Sequence, residues 1–228
     1  MDLRLSFLLS AAIVFVGTHI ILTHQLRQPL IALLGKAGFM AAYSLIAFVT
    51  LGWAIFAFGT APRGPYAWQP YSDWAWIAAM VLTYPALLLL IGSFIRNPAA
   101  PSPNAEEVVA TKEPTGVFAV TRHPMMWGIA IWALSHILLV PEPRTLFLLG
   151  SLIVLALVGS AMQDRKKQHQ LGTAWSGWQS RTSYFPRPAG FAAIRPVMWL
   201  GAFALWLLIN WLHMPLGGIA AGFWRWLG

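Results

Sequence analysis

The sequence predicts an all-α fold, a polytopic bundle of about six transmembrane helices with both termini periplasmic. Three observations carry this expectation. Of 228 residues, 58% are hydrophobic and only 10% are charged, against about 25% charged in a soluble domain. Mean hydropathy is +0.63. Six windows lack Asp, Glu, Lys and Arg over lengths that approach or exceed the 17–25 or so residues of a spanning helix. This composition excludes an ordinary soluble enzyme. It also excludes disorder, which needs low hydrophobicity and high charge. Residues 1–228 read as a single integral membrane domain.

The windows are Leu5 to Leu26, Ala37 to Pro62, Trp74 to Ile95, Pro124 to Pro141, Thr145 to Gln163 and Pro196 to Trp224. Their expected spanning cores are 5–24, 38–58, 74–95, 124–140, 145–163 and 196–214. Helices are required because hydrocarbon offers no partner to an open backbone group. The runs are too continuously apolar for barrel strands, which alternate over about ten residues. The first is expected to be a retained helix: Asp2 and Arg4 cancel, and the apolar run exceeds a signal peptide's core. The fourth is the shortest, and Pro124 suits its first turn. The last is the longest, and the path of residues 216–227 is open.

Two connecting segments are long. Residues 97–116 contain Pro98, Pro101, Pro103 and Pro114, which forbid a helix through most of their length. Residues 164–195 carry Asp164-Arg165-Lys166-Lys167 and then Trp175, Trp178 and Tyr184. This stretch is expected to lie on the membrane surface, attracted to anionic lipid.

The chain has 15 Lys and Arg against 7 Asp and Glu, a net charge of +8. In a membrane protein that excess is a topology signal. With six spans, one side receives eleven basic residues: Arg27, Lys36, Arg96, Lys112, Arg122, Arg165, Lys166, Lys167, Arg181, Arg187 and Arg195. The other receives four: Arg4, Arg63, Arg144 and Arg225. The richer side is expected to be cytoplasmic, which puts the protein in a bacterial inner membrane with its ends outside. Trp68, Trp74, Trp76, Trp224 and Trp226 cluster at the outer boundary as an aromatic belt. The expected partners are membrane lipids and a lipophilic substrate, and no nucleic acid.

There is no cysteine, so disulfides, thiolate metal sites, a Cys nucleophile and a Cys haem ligand are excluded. Chemistry then rests on the polar groups near the spans, where they are costly. His136 shares a helical face with Trp132, Ala133 and Gly128, and His19 with Val16, Phe15 and Ala12. Gly128 leaves room for a close neighbour or a flat ligand. Two imidazoles on apolar stripes can be axial ligands of a haem. They can equally be interhelical hydrogen-bond partners. By helical rise His19 lies roughly 9 Å and His136 roughly 18 Å above the inner boundary, which leaves the pairing open. At the mouth of the fourth span, Arg122 suits a carboxylate or phosphate and His123 can relay a proton. These two are the candidate catalytic residues. His123 and His136 are about 140° apart around the helix and face different neighbours.

The run GVFAVTRHPMMWGIAIWALSHILL from Gly116 to Leu139 resembles the signature of the NnrU-type membrane proteins. The similarity extends to FVGTHIILTHQLRQPLIALLG at 15–35, to Tyr43-Ser44-Leu45 and to Thr182-Ser183-Tyr184-Phe185-Pro186. That family is linked to bacterial nitrite and nitric oxide reduction, that is, denitrification. Its plant relative is the zeta-carotene isomerase, a haem-dependent membrane enzyme. The resemblance implies haem b with His19 and His136 as the metal ligands, and Gly128 and Trp132 beside the cofactor. It implies an isomerase of a lipophilic polyene or a redox protein, with Arg122 and His123 on haem propionates or an anionic substrate group. One departure is Ala133, where the isomerase pattern has Cys.

A second resemblance competes. Arg122-His123-Pro124 with Gly128 is similar to a motif of isoprenylcysteine carboxyl methyltransferases, which bind S-adenosylmethionine at the cytoplasmic membrane face. Asp164, Gly172, Trp175, Trp178 and Pro186 would be its second half, but Arg165 stands where a second acid is expected. A third expectation is a non-enzymatic assembly factor for respiratory complexes.

Overall fold

In the computed structural model, the described residues are 2–95, 97–98 and 105–227. Arg96, Pro101 and Pro103 of the expected inner loop lie outside them. The described residues form helices and connecting turns, with no strand. The long helices are α1 (Leu3–Thr23), α2 (Arg27–Thr60), α3 (Asp73–Gly92), α6 (Pro124–Leu139), α7 (Pro143–Arg181) and α8 (Pro196–Gly217). Short helices α4 (Ala105–Thr111), α5 (Val117–Val120) and α9 (Trp224–Leu227) and a 3-10 turn at Pro188–Ala193 complete the chain. The six expected spans therefore match six helices. Five of these are long and apolar enough to cross a membrane, and α6 is a shorter apolar helix.

Helix starts follow local chemistry. The Asp2 carboxylate accepts from the backbone N–H groups of Arg4 and Leu5 and caps α1. Pro124, Pro143 and Pro196 open α6, α7 and α8, where a missing N–H costs nothing. Inside the spans, Thr18, Thr23, Thr50 and Thr83 bond the carbonyl four residues back, so these four hydroxyls do not face hydrocarbon unpaired.

Helix α7 is the central post, with α1 and α6 both packed on it. Helix α3 packs on α6 and α8, and α1 on α2. Small residues set the close contacts. Ala11 of α1 and Ala54, Ala57 and Ala61 of and after α2 join one buried cluster, against which Phe147 and Leu148 of α7 pack. A Cβ on Gly128 of α6 would stand 2.8 Å from the Ala86 carbonyl oxygen and 3.2 Å from the Leu90 nitrogen of α3. Of the two occupants expected over Gly128, the helix neighbour takes the space.

Two helices outrun their expected spans. Helix α2 begins at Arg27, and its axis breaks at Gly35, where φ is 70° and ψ 170°. Only glycine adopts that geometry readily. Residues 27–34 thus form a short segment set apart from the spanning part, with Leu33 and Leu34 exposed. Helix α7 does not stop at Gln163 but runs on to Arg181, with a break at Gly172. The expected surface segment at 164–195 is corrected accordingly. Trp175 and Trp178 are fully buried in the largest core cluster, with Leu88, Leu89, Val117 and Phe118, and do not lie on lipid. Among the described residues, the Pro-rich loop holds the seven-residue α4, ahead of Pro114.

Both chain ends lie at one end of the bundle. Leu8 near the N-terminus shares its cluster with Ala61, beyond the end of α2. At that same end the C-terminal tail folds back: Phe223 meets the Trp206 ring, and Arg225 pairs with Asp73. Trp68, Trp74, Trp76 and Trp226 gather there, with Arg225 over Trp76.

Candidate functional site

Thr121-Arg122-His123 bridges α5 and α6. Its backbone and side chains are fixed by the irregular stretch 182–186 that follows α7. The Arg122 N–H donates to the Ser183 carbonyl at 2.8 Å, and the Thr121 hydroxyl to the Tyr184 carbonyl at 2.6 Å. The Trp127 indole N–H donates to that same Tyr184 carbonyl at 2.8 Å. The Tyr184 ring lies 5.5 Å from the His123 ring and 5.5 Å under the Arg122 guanidinium.

Asp164 on α7 completes the cluster. Arg122 donates from both Nε and Nη2 to Asp164 Oδ2, at 2.8 and 2.6 Å. His123 donates from Nε2 to Oδ1 at 2.9 Å. Burial pushes the Asp164 carboxyl up, but the hydrogen bonds from His123 and Arg122 and their charges outweigh it and hold it below its ordinary value. The His123 side chain is 1% exposed and that of Arg122 12%. This is a near-closed ion cluster that locks the start of α6 to the point where α7 leaves its apolar stretch. Sequence reasoning named Arg122 and His123 but missed Asp164 as their shared partner. The available signal was an isolated acid inside a basic run, in a chain with only 7 acids.

The other candidate residues are placed elsewhere. His19 on α1 donates from Nδ1 to the Phe15 carbonyl at 2.8 Å and lies against the rings of Phe15 and Tyr43. His136 on α6 donates from Nδ1 to the Trp132 carbonyl at 2.9 Å, with the Trp132 ring 4.7 Å away. A carbonyl can only accept, so in each neutral imidazole the proton is on Nδ1 and the lone pair on Nε2. That is the tautomer a metal ligand needs. His213 on α8 has the same arrangement, donating to Ile209 at 2.7 Å.

Singly, then, each imidazole fits an axial position. As a pair they do not fit one iron in this arrangement, and α7 provides the scale. Phe147 and Leu148 meet the Leu8 cluster of α1, whereas Thr23 and His24 share a cleft with Met162 and Lys166. His19 therefore stands near the level of residues 158–162 of α7. His136 is next to Ile137, which clusters with Leu149. The levels differ by roughly ten residues, about 15 Å along the helix. The two histidines share no ring or hydrogen-bond neighbour. The 41% exposed Trp132 lies beside His136 alone.

The residues of the methyltransferase pattern are placed as follows. Asp164 is already held by Arg122 and His123, and Trp175 and Trp178 are core residues. Among the described residues no three His, Asp or Glu side chains converge as a metal site.

The family described as NnrU protein matches residues 7–221. Two curated plant proteins are similar over 97 residues, which is 40% of this chain and 25% of each of theirs. The 15-cis-zeta-carotene isomerase, chloroplastic, of Zea mays is 35% identical there, and that of Arabidopsis thaliana 33%. The matched stretch thus spans about a quarter of the length of these relatives. No solved structure matches the chain.

Proposed function

The chain belongs to the NnrU family, and from that premise we propose that it is a multi-pass inner-membrane protein that isomerises a lipophilic polyene. The observation that carries this reading is the similarity to two plant proteins named as 15-cis-zeta-carotene isomerases. The geometry is compatible with it in one respect: long apolar helix faces, with Ile13, Phe48, Phe56 and Val81 exposed, put any substrate reached from the bilayer in contact with the bundle. An accessory role in nitrite or nitric oxide reduction belongs to the same proposal, as the chemistry with which the family is linked.

Haem b is the cofactor this reading carries. It would supply a redox-active iron. No step is derived through it, because His19 and His136 do not meet at one iron here. What this chain contributes is two imidazoles with Nε2 lone pairs and the Arg122–His123–Asp164 cluster at the inner end. Because Asp164 engages both of them, Arg122 and His123 act in this reading by fixing α6 against α7, and His136 rides on α6.

The test is expression in cells that accumulate a cis polyene, with the isomer ratio read by chromatography. A shift toward the isomerised form that is lost in His136→Ala supports the proposal. An unchanged ratio with well-expressed protein overturns it. Absorption spectra of the detergent-purified protein test haem separately. In this arrangement a Soret band is expected to vanish in one of His19→Ala and His136→Ala and to persist in the other. Loss in both would mean that α1 and α6 come together in the loaded protein.

A further inference from the structure

Between the α1–α2 turn and α7, at the inner end, lies a cleft of about 340 Å³. This is within the range of small-ligand clefts, roughly 300–1,000 Å³. Arg27 contributes from one wall and Arg165 and Lys166 from the other, with His24 and His169 beside them. No carboxylate lines it. The nearest acid in sequence, Asp164, is spent on Arg122 and His123. Among the described residues, none of Arg27, Arg165, Lys166 or Lys167 is ion-paired with a carboxylate.

A positive-inside signal does not need this arrangement. It asks only for cations on one side, spaced freely in water. Here they come from two elements that are distant in sequence and crowd one another. Burial, then the charges of Arg27 and Lys167, push the Lys166 ammonium below its ordinary value, and burial and Arg27 do the same to Lys167. Like charges held close and half-buried without a counter-ion are an unfavourable arrangement that an anion relieves. Two arginines, each with a forked guanidinium, and a lysine lining one cleft suit a phosphate, which takes charge-assisted and bidentate hydrogen bonds. The cleft also borders the segment 27–34, ahead of the Gly35 break, where Leu26, Leu33 and Leu34 are exposed. Apolar surface beside a cationic cleft places the cleft at the headgroup level.

We propose that this cleft binds the phosphate group of an anionic ligand, with Arg27, Arg165 and Lys166 as its cationic contacts. The phosphate belongs either to a phospholipid headgroup or to a phosphate free in the aqueous phase. The proposal is independent of the isomerase reading, since it uses none of His19, His136, Arg122 or His123.

The experiment uses the full-length protein in phosphatidylcholine nanodiscs. It titrates phosphatidylglycerol in one arm and inorganic phosphate and pyrophosphate in the other, reading bound ligand by native mass spectrometry. The double variant Arg27→Gln/Lys166→Gln is expected to bind roughly tenfold more weakly or worse. Arg187→Gln/Arg195→Gln, which removes the same charge at the same end of the bundle, is expected to bind as the wild type does. Binding of phosphatidylglycerol alone assigns the site to lipid. Equal variant-sensitive binding of inorganic phosphate or pyrophosphate assigns it to a free phosphate. Equal loss in both double variants, or no loss in Arg27→Gln/Lys166→Gln, overturns the proposal. Should that variant fail to fold, the exposed Arg165→Gln decides: weaker binding supports the site, and unchanged binding overturns it.

Discussion

Asp164 is the residue on which the Arg122 end of the bundle turns. Its carboxylate takes two bonds from Arg122 and one from His123, and all three side chains are largely out of water. Removing one partner of a buried pair leaves the other charge uncompensated, at about 3–5 kcal/mol. Asp164→Asn is therefore expected to destabilise the protein by about that amount, read as a lower unfolding midpoint in detergent. A change below about 0.5 kcal/mol, the scale of a neutral surface substitution, would mean that the cluster contributes little. The pH dependence has a definite sign. Folding lowers the Asp164 pKa, so the stabilisation is present above the unfolded value of about 4 and fades as pH falls through the lowered folded value. Acid unfolding followed below pH 4 or so should lose this component in Asp164→Asn. The residues of this cluster were only half legible in the sequence. Arg122 and His123 announced themselves as polar groups at a span mouth. Asp164 lies 41 and 42 residues away from them, and no periodicity links positions on two antiparallel helices at that separation.

At the scale of the helix, starts marked by proline were more legible than boundaries marked by charge. Pro124, Pro143 and Pro196 fix where α6, α7 and α8 begin, because proline at the first turn is a local rule. The expected start of α2 and the expected end of α7 were read from where lysine and arginine appear. A helix continues past the hydrocarbon if packing supports it, and Trp175 and Trp178 supply that packing for α7. Gly128 shows the same division. The sequence marks it as a place of close approach, and only the fold says to what. A methyl group there would meet the α3 backbone at Ala86 and Leu90, and backbone does not yield as a side-chain tip does. Gly128→Ala is expected to cost about 1–3 kcal/mol. Gly150→Ala on α7, where nothing lies within 4 Å, is the matched control. It is expected to be neutral or stabilising by about 0.5–1 kcal/mol, since alanine is the better helix former. Comparing the two unfolding midpoints separates close packing from helix propensity. Equal midpoints would show that α3 and α6 part easily.

For the whole molecule, the decisive quantity is the parity of crossings, and α6 decides it. Its 16 residues reach about 24 Å, short of a hydrocarbon core of about 30 Å. Counted by length alone, five helices among the described residues qualify, and an odd number would put the chain ends on opposite sides. The fold resolves this by covering the α6–α7 hairpin. Ala67 and Tyr71 donate backbone N–H groups to the Pro141 and Leu139 carbonyls, and Trp68 donates to Leu138. Glu142, fully buried, accepts from the Gly64 N–H and from Arg144. The segment after α2 thus caps the short helix and supplies the polar partners that the hairpin lacks in lipid. With α6 counted as a crossing the total is six, and both ends are then expected on one side, in keeping with their shared packing at that end of the bundle. The eleven-to-four distribution of basic residues predicts which side that is. A reporter enzyme active only outside the cytoplasm is accordingly expected to work when fused at either terminus. Inserted within residues 105–111, between the prolines of the inner loop, it is expected to be silent. Opposite behaviour at the two termini would show that α6 does not cross, and silence at both with activity in the inner loop would invert the orientation while keeping the count.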